Sequence, residues 1–192
     1  LWPFSVFGWP KKTDELEYFY PTSVLVTGYE ILYLWVARMI MSGLFHMNEI
    51  PFSDVYVHGI VRDKHGQKMS KSKGNVIDPV DMMKKYGTDA MRFSLVINSA
   101  GGKDIHFSED SIIGGRNFIN KLYNVARFIY MNIKQIDSAR INHSMLDVYD
   151  RWILTRLYDV YMQYSSFMND YLLSEAVDLV YGFVWDEFCD WY

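Results

Sequence analysis

The chain has 192 residues, of which 50% are hydrophobic and 17% aromatic, while glycine and proline number only 12 and 5. This length and composition predict a folded chain with a substantial core, and they exclude a disordered or collagen-like protein. The formal net charge of −4 excludes a protein that is basic over its whole surface. We therefore expect no DNA partner, and any site for a polyanion must be local.

A single cysteine, Cys189, excludes an internal disulfide and a cysteine-based zinc cage, so we expect no metal ligands and a reducing, cytoplasmic setting. The most apolar stretch, residues 31–44, contains Arg38 and falls short of a membrane span. We interpret it as a buried helix and expect no membrane partner. The sequence begins without Met or a signal peptide, which suggests that it starts partway through a longer protein.

The first strand–helix–strand unit follows an aromatic stretch, residues 1–21, that is broken by three prolines and predicts an irregular segment. Residues 23–27 are rich in β-branched side chains and end at Gly28, and apolar residues at helical spacing follow over 31–40. Another strand-like run covers 55–61. This order predicts a βαβ unit with parallel strands, and ligands of such sheets bind at the carboxyl ends of the strands.

Beyond the second strand, residues 62–74 are polar and predict a surface loop. Asp78 precedes a proline, which is typical of a helix N-cap followed by the first helical residue. We expect Thr88 to cap the next helix. From Glu109 onward, apolar stripes at helical spacing predict a helical bundle, with a looser connection over residues 135–144.

The loop after the second strand carries the strongest chemical signal. Residues 66–74 have the sequence Gly-Gln-Lys-Met-Ser-Lys-Ser-Lys-Gly, so three lysines lie between two glycines in an otherwise acidic protein. Ammonium groups on a movable loop suit a triphosphate whose charge shifts as phosphoryl bonds form and break. A solvated basic loop is the common alternative. The position of the loop after a strand end favours phosphate binding.

Two other phosphate-binding motifs are excluded. Gly101-Gly102-Lys103 is followed by Asp104, so no P-loop motif is present. No glycine-rich dinucleotide motif follows the first strand.

Lys-Met-Ser-Lys-Ser at residues 68–72 resembles the signature loop of the class I aminoacyl-tRNA synthetases. Further strings resemble the valyl members of the valyl, isoleucyl and leucyl subgroup, and together they cover essentially the whole chain: 24–32, 35–40, 57–59, 74–79, 115–124 and 185–192. The resemblance implies an α/β fold, the second half of a Rossmann-like parallel sheet, followed by an all-α bundle. It places the catalytic half-domain and the start of the stem at 1–108, and the helical stem with part of an anticodon-binding bundle at 109–192.

The resemblance further implies a ligase that uses ATP, accompanied by Mg²⁺, to activate valine as its adenylate and then transfers valine to tRNA(Val). Lys68 and Lys71 match the two loop lysines that stabilise the triphosphate as pyrophosphate leaves, and Lys71 also belongs to the expected ATP-binding residues. Met69 matches a position near adenine. Anchoring the loop by its apolar side chain is an equally good interpretation of Met69.

Four residues near the predicted strand ends match the ATP site of the family. Gly28 and Glu30 match the motif that approaches the ribose, where the family usually has Asp in place of Glu30. A carboxylate in the first helical turn has a structural alternative, since the helix dipole stabilises it. His58 and Gly59 match the strand end that borders adenine. For the histidine, a structural role is as good an interpretation as ligand contact.

Ile31 and Trp35 match positions that line the pocket for the valine side chain, although their spacing alone indicates ordinary core residues. The other signature of the class, His-x-Gly-His, does not occur in the sequence, and neither does an editing domain. We therefore expect the chain to be inactive by itself. The alternative function is a non-catalytic tRNA-binding module, in which the helices contact RNA and the lysine loop only meets phosphate.

Overall fold

The computed structural model describes residues 2–99, 101–133 and 143–192, apart from the side chains of Lys71 and His143. The chain forms two compact units, the first made of residues 1–60 and 101–104 and the second of residues 61–100 and 105–192. These units divide the chain by spatial contact. The boundary near residue 108, which follows from the resemblance, stays a prediction.

The N-terminal stretch, expected to be irregular, contains two short helices, α1 (Trp2–Ser5) and α2 (Asp14–Phe19). The expectation was wrong because α2 has a complete local start signal. The hydroxyl of Thr13 accepts the backbone N–H of Leu16 at 3.2 Å, and acidic residues in the first turn favour the positive end of the helix. Leu16 is buried with Phe4 and Tyr20 in a small core, which holds the segment in place.

The first unit contains the predicted βαβ arrangement. Strands β1 (Thr22–Gly28) and β2 (Phe52–His58) pair in parallel, with Gly28 opposite His58 at their carboxyl ends. The connection contains helix α3 (Ala37–Met47). The apolar spacing over 31–36 predicted α-helix there too, but the backbone forms a 3₁₀ turn at Tyr29–Ile31 and a π-helical turn at Leu32–Val36. The three helix types differ in residues per turn, but residues 31–36 span too little chain for the apolar spacing to distinguish them.

The second unit begins with a short parallel pairing and continues as helices. Its elements are β3 (Val61–Arg62), α4 (Pro79–Tyr86), α5 (Thr88–Ile97), β4 (Ile105–His106), α6 (Glu109–Asn132), α7 (Val148–Asn169) and α8 (Leu173–Gly182), which a π-helical turn at Phe183–Phe188 extends. Strand β3 pairs in parallel with β4. The predicted second strand therefore breaks after His58, and its last residue, Val61, belongs to a separate pairing.

The helix starts of the second unit test the sequence predictions directly. Asp78 caps α4 as predicted, because its carboxylate accepts the N–H of Val80 at 2.8 Å. The prediction for Thr88 was wrong. Thr88 is the first residue of α5, and the preceding Gly87, with φ of 98°, holds the N-cap position without a side-chain hydrogen bond. The predicted loose connection covered residues 135–144, and its part over 135–142 lies outside the described residues.

Helices α5 and α6 form the main core of the second unit. Ala90 and Met91 on α5 are buried against Ile112 on α6 and against Phe107, which precedes that helix. The backbones approach closely at Gly115, where an added Cβ atom would lie 2.7 Å from the carbonyl oxygen of Ala90. Glycine is therefore the residue that this helix contact requires.

A paired charge links α7 to the C-terminal turn. The Arg156 guanidinium donates two hydrogen bonds to the Glu187 carboxylate, at 2.7 and 2.8 Å, which is the two-pronged geometry that arginine favours. These bonds hold the pKa of Glu187 below its ordinary value of 4.5. The same two segments also share a buried apolar cluster of Ile153, Val160 and Phe183, so the ion pair and this cluster together join them.

Within the described parts of the chain, we find no helix with the length and hydropathy that a membrane crossing requires.

We predict that Gly115→Ala lowers the free energy of unfolding by about 1–3 kcal/mol, because the new methyl group meets backbone that has no room to move. Gly114→Ala is the matched control, since nothing lies within 4 Å of an added Cβ at that neighbouring position. It should raise stability by about 0.5–1 kcal/mol through better helix propensity. Urea unfolding of the two variants measures the difference, and equal stabilities would contradict the close helix contact.

We predict that Glu187→Gln lowers the free energy of unfolding at pH 7 by about 1 kcal/mol, a value reduced for solvent screening of this partly exposed pair. Because the folded-state pKa of Glu187 lies below 4.5, the stabilisation is complete above that pH and disappears as the pH falls through the folded-state pKa. Urea unfolding between pH 3 and 7 measures this. Asp89→Asn, which removes an exposed ion pair with Arg92 at 3.4 Å, should show no such trend.

Candidate functional site

The strand ends of the first unit bring together Gly28 and His58, as the parallel register requires. An added Cβ at Gly28 would lie 3.6 Å from the His58 ring, so the two residues are direct neighbours. His58 donates from Nδ1 to the carbonyl oxygen of Gly59 at 2.8 Å. A carbonyl only accepts, so the proton lies on Nδ1 and the Nε2 atom of the neutral ring is an acceptor. The exposed ring thus offers an acceptor at the strand end.

Gly59 has a packing role that the sequence did not reveal. It is buried, and an added Cβ would lie 1.8 Å from the carbonyl oxygen of Lys103, so residues 101–104 pass directly over it. Asp104 in this segment accepts the N–H of Ile60 at 2.9 Å and the hydroxyl of Tyr29 at 3.4 Å. One carboxylate therefore connects the backbone beyond β2 with the residue that follows β1.

The residues after β1 are accessible. Glu30 lies in the exposed 3₁₀ turn. Ile31 and Trp35 are 42% and 43% exposed, whereas Val36 is only 4% exposed. Ile31 and Trp35 are therefore not core residues of this unit, and both side chains are accessible for contact. Such turns occur frequently at functional sites.

The lysine loop lies in the second unit and has internal structure. The backbone of Lys68 forms an isolated antiparallel β-bridge with that of Arg62 in β3, and the Asp63 N–H donates to the Gln67 carbonyl oxygen at 2.9 Å. Met69 packs against the α5–α6 core, so the apolar anchor is the role that its position supports. The 3₁₀ turn Lys71–Lys73 follows, and the Lys71 side chain lies outside the described atoms.

Two polar residues that sequence reasoning did not select tie this loop together. The Asp63 carboxylate accepts the side-chain amide of Asn75 at 2.8 Å and the backbone N–H groups of Gln67 and His65 at 2.8 and 2.9 Å. These bonds, the one from Asn75 foremost, lower the pKa of Asp63. The sequence signal for Asp63 is weak, because an acidic residue inside a basic loop is usually only a local counter-charge.

The structure divides the candidate residues between its units. Gly28, Glu30, Ile31, Trp35, His58 and Gly59 belong to the first unit, and Lys68, Met69 and Lys71 to the second. Among the described residues, no group of three or more histidine, cysteine, aspartate or glutamate side chains could hold a metal ion.

Comparison with known families assigns the chain. The model described as tRNA synthetases class I (I, L, M and V) matches residues 1–108, and the one described as the anticodon-binding domain of tRNA ligase matches residues 150–192. The first match covers more than half of the chain. The chain therefore belongs to the class I tRNA synthetases of the isoleucyl, leucyl, methionyl and valyl group, which confirms the resemblance.

The most informative relatives are valine–tRNA ligases. The chain is 54% identical to the enzyme of Syntrophotalea carbinolica and 53% identical to that of Geobacter sulfurreducens, in each case over 100% of the chain and 22% of the relative. The chain thus spans about a fifth of the length of these relatives.

Solved structures agree on the fold. A Mycobacterium tuberculosis methionyl-tRNA synthetase, in complex with methionyl-adenylate, has a TM-score of 0.77 at 23% identity, over 94% of this chain and 36% of that chain. A leucyl enzyme of Agrobacterium radiobacter, in a ternary complex with tRNA, has a TM-score of 0.75 at 19% identity, over 93% and 24% of the two chains. The predicted fold class, a parallel α/β part followed by helices, is confirmed.

We predict that Gly59→Ala destabilises the chain by about 3 kcal/mol, because the added methyl group meets the backbone of Lys103 and not a flexible side chain. Gly28→Ala is the control, since its added Cβ has only an ordinary contact at 3.6 Å. It should change stability by less than about 1 kcal/mol. Thermal or urea unfolding measures both, and a stable Gly59→Ala variant would contradict the packing of residues 101–104 over this position.

Proposed function

We propose that the chain is the part of a valine–tRNA ligase that binds ATP and begins the helical tRNA-binding region. The observation that carries the proposal is the structured lysine loop, whose signature sequence lies within a chain that resembles valine–tRNA ligases along its whole length. The reaction joins the valine carboxylate to the α-phosphorus of ATP and breaks the bond to the β-phosphate oxygen, which releases pyrophosphate. The valyl group then passes from the adenylate to the terminal adenosine of tRNA(Val), and AMP leaves.

The lysines contribute electrostatically. Negative charge moves onto pyrophosphate as it leaves, and Lys68 and Lys71 provide cations that stabilise this charge. Lys68 is exposed, and the Asp63 carboxylate accepts three N–H groups. Mg²⁺ would accompany the ATP phosphates, which are its usual ligands in such sites.

The first unit supplies the nucleoside and amino-acid contacts in this proposal. Glu30 would accept hydrogen bonds from the ribose hydroxyls next to Gly28, and the strand end at His58 and Gly59 would border adenine. The acceptor at His58 Nε2 is complementary to the exocyclic amino group of adenine. Gly59 would serve indirectly, by allowing residues 101–104 to reach the strand end.

Ile31 and Trp35 would contact the valine side chain, which their exposure supports. A pocket of this kind excludes larger side chains by shape but discriminates weakly against threonine, an isostere with a hydroxyl. Met69 would hold the loop by its apolar contact with the α5–α6 core.

The alternative, a tRNA-binding module without catalysis, rests on the match of residues 150–192 to an anticodon-binding domain. Both functions share tRNA as partner. They differ in whether the lysine loop acts on a nucleotide.

The test places this chain in the Geobacter sulfurreducens ligase, in exchange for the segment that aligns with it, and measures valine-dependent ATP–pyrophosphate exchange. We predict that the chimera is active and that Lys68→Ala lowers kcat ten- to a thousandfold, with the KM for valine little changed, because the lost cation acts mainly on the transition state. Lys84→Ala is the control, as Lys84 is exposed on α4 and pairs only at 3.5 Å with Asp81.

Two outcomes would contradict the proposal. One is a chimera that unfolds cooperatively and binds tRNA but shows no exchange, which would favour the tRNA-binding module. The other is an active chimera in which Lys68→Ala keeps the kcat of the Lys84→Ala control.

A further inference from the structure

The lysine loop, residues 66–74, is flanked by Asp63 and Asn75, whose side chains are hydrogen-bonded to each other. The amide of Asn75 donates from Nδ2 to Asp63 at 2.8 Å, and its Oδ1 accepts the backbone N–H of Ser70 at 2.9 Å. Nδ2 also lies 3.4 Å from the carbonyl oxygen of Lys68. The amide thus contacts the backbone on both sides of Met69, in the middle of the signature sequence.

Asp63 determines which way this amide faces. A carboxylate only accepts hydrogen bonds, so the NH₂ group of Asn75 must face Asp63 and its oxygen must face Ser70. Asp63 is itself fixed, because its other oxygen accepts the N–H groups of His65 and Gln67. A chain of hydrogen bonds with one possible direction therefore runs from the turn at 63–67 to the peptide group of Ser70.

These hydrogen bonds fix the position of the loop backbone. Fixing the carbonyl of residue 68 and the N–H of residue 70 fixes the backbone from which the lysines at 68 and 71 project. Met69, held in the α5–α6 core, provides the second attachment. The apolar contact holds the loop down, and the polar contact orients its peptide groups.

We propose that Asp63 and Asn75 are positioning residues, which orient the backbone of residues 68–70 so that the loop lysines meet the triphosphate. The inference rests on the proposed function of those lysines. Neither residue touches the reacting atoms. They act through the Ser70 peptide group.

Exchanging the two residues tests the proposal without changing size or, in the double variant, charge. In Asp63→Asn, an NH₂ group faces the NH₂ group of Asn75, and turning either amide breaks another bond. In Asn75→Asp, two carboxylates face each other. In the double variant Asp63→Asn/Asn75→Asp, the new amide donates to the new carboxylate, which still accepts the Ser70 N–H, so every strong bond is restored.

We predict that, in the chimeric ligase, each single variant lowers the kcat of exchange at least tenfold with little change in the KM for valine, and that the double variant returns to within about threefold of the starting kcat. Asp81→Asn on α4 is the control for the loss of one negative charge. A double variant no better than the worse single variant would overturn the proposal, as would an unchanged kcat in Asp63→Asn.

A second measurement does not depend on activity. In the 192-residue chain, the Ser70 amide should exchange with solvent at least fivefold faster in each single variant and recover in the double variant, while amides of α6 stay unchanged. Unchanged Ser70 exchange in the single variants would overturn the proposal. If Lys68→Ala keeps full activity while the Ser70 pattern holds, the proposed function fails and the orienting role of the pair in the loop stands.

Discussion

The core of the second unit, and the position of the lysine loop against it, depend on the contact between α5 and α6. Helices approach this closely only where one of them lacks a side chain, and Gly115 provides that gap against the carbonyl of Ala90. The core built around this contact includes Met91 and Ile112, and Met69 of the lysine loop packs against it. The lysines of the loop repel one another and favour water, so their charges do not hold the loop against the protein surface. Its apolar residue, Met69, connects it to this buried core.

The sequence predicted those parts of the fold that depend on local periodicity. Parallel pairing of the first two strands follows from a strand, helix and strand in that order, and the Asp78 cap follows from one residue and the proline after it. The helices of residues 1–21 were missed because prolines and aromatics outweighed the cap at Thr13. The 3₁₀ and π-helical turns after Gly28 were missed because positions 31–36 span too little chain for apolar spacing to separate the periods of the helix types.

The candidate site was predicted by position, whereas the physical role of its residues depends on contacts distant in sequence. Gly59 matches an adenine-bordering position, yet its lack of a side chain is explained by the backbone of Lys103, which lies 44 residues further on. Asn75 was part of a matching string without a role. Only its distances to Asp63 and Ser70 reveal one, because amide orientation depends on partners that sequence spacing does not specify.

The Asp104 carboxylate accepts hydrogen bonds just beyond the point where the pairing of β1 and β2 ends. The chain crosses from the first unit to the second at residues 60–61 and again at 104–105. After the crossing, Val61 and Ile105 pair as short parallel strands, and just before it the Asp104 carboxylate accepts the Ile60 N–H at 2.9 Å. Gly59 leaves room for this arrangement, so the backbone N–H that follows β2 is satisfied by a carboxylate where no neighbouring strand accepts it. The same carboxylate accepts the Tyr29 hydroxyl, which connects the crossing to the end of β1. Within the first unit, the Asp104 carboxylate therefore links the backbone after β2 to the residue after β1.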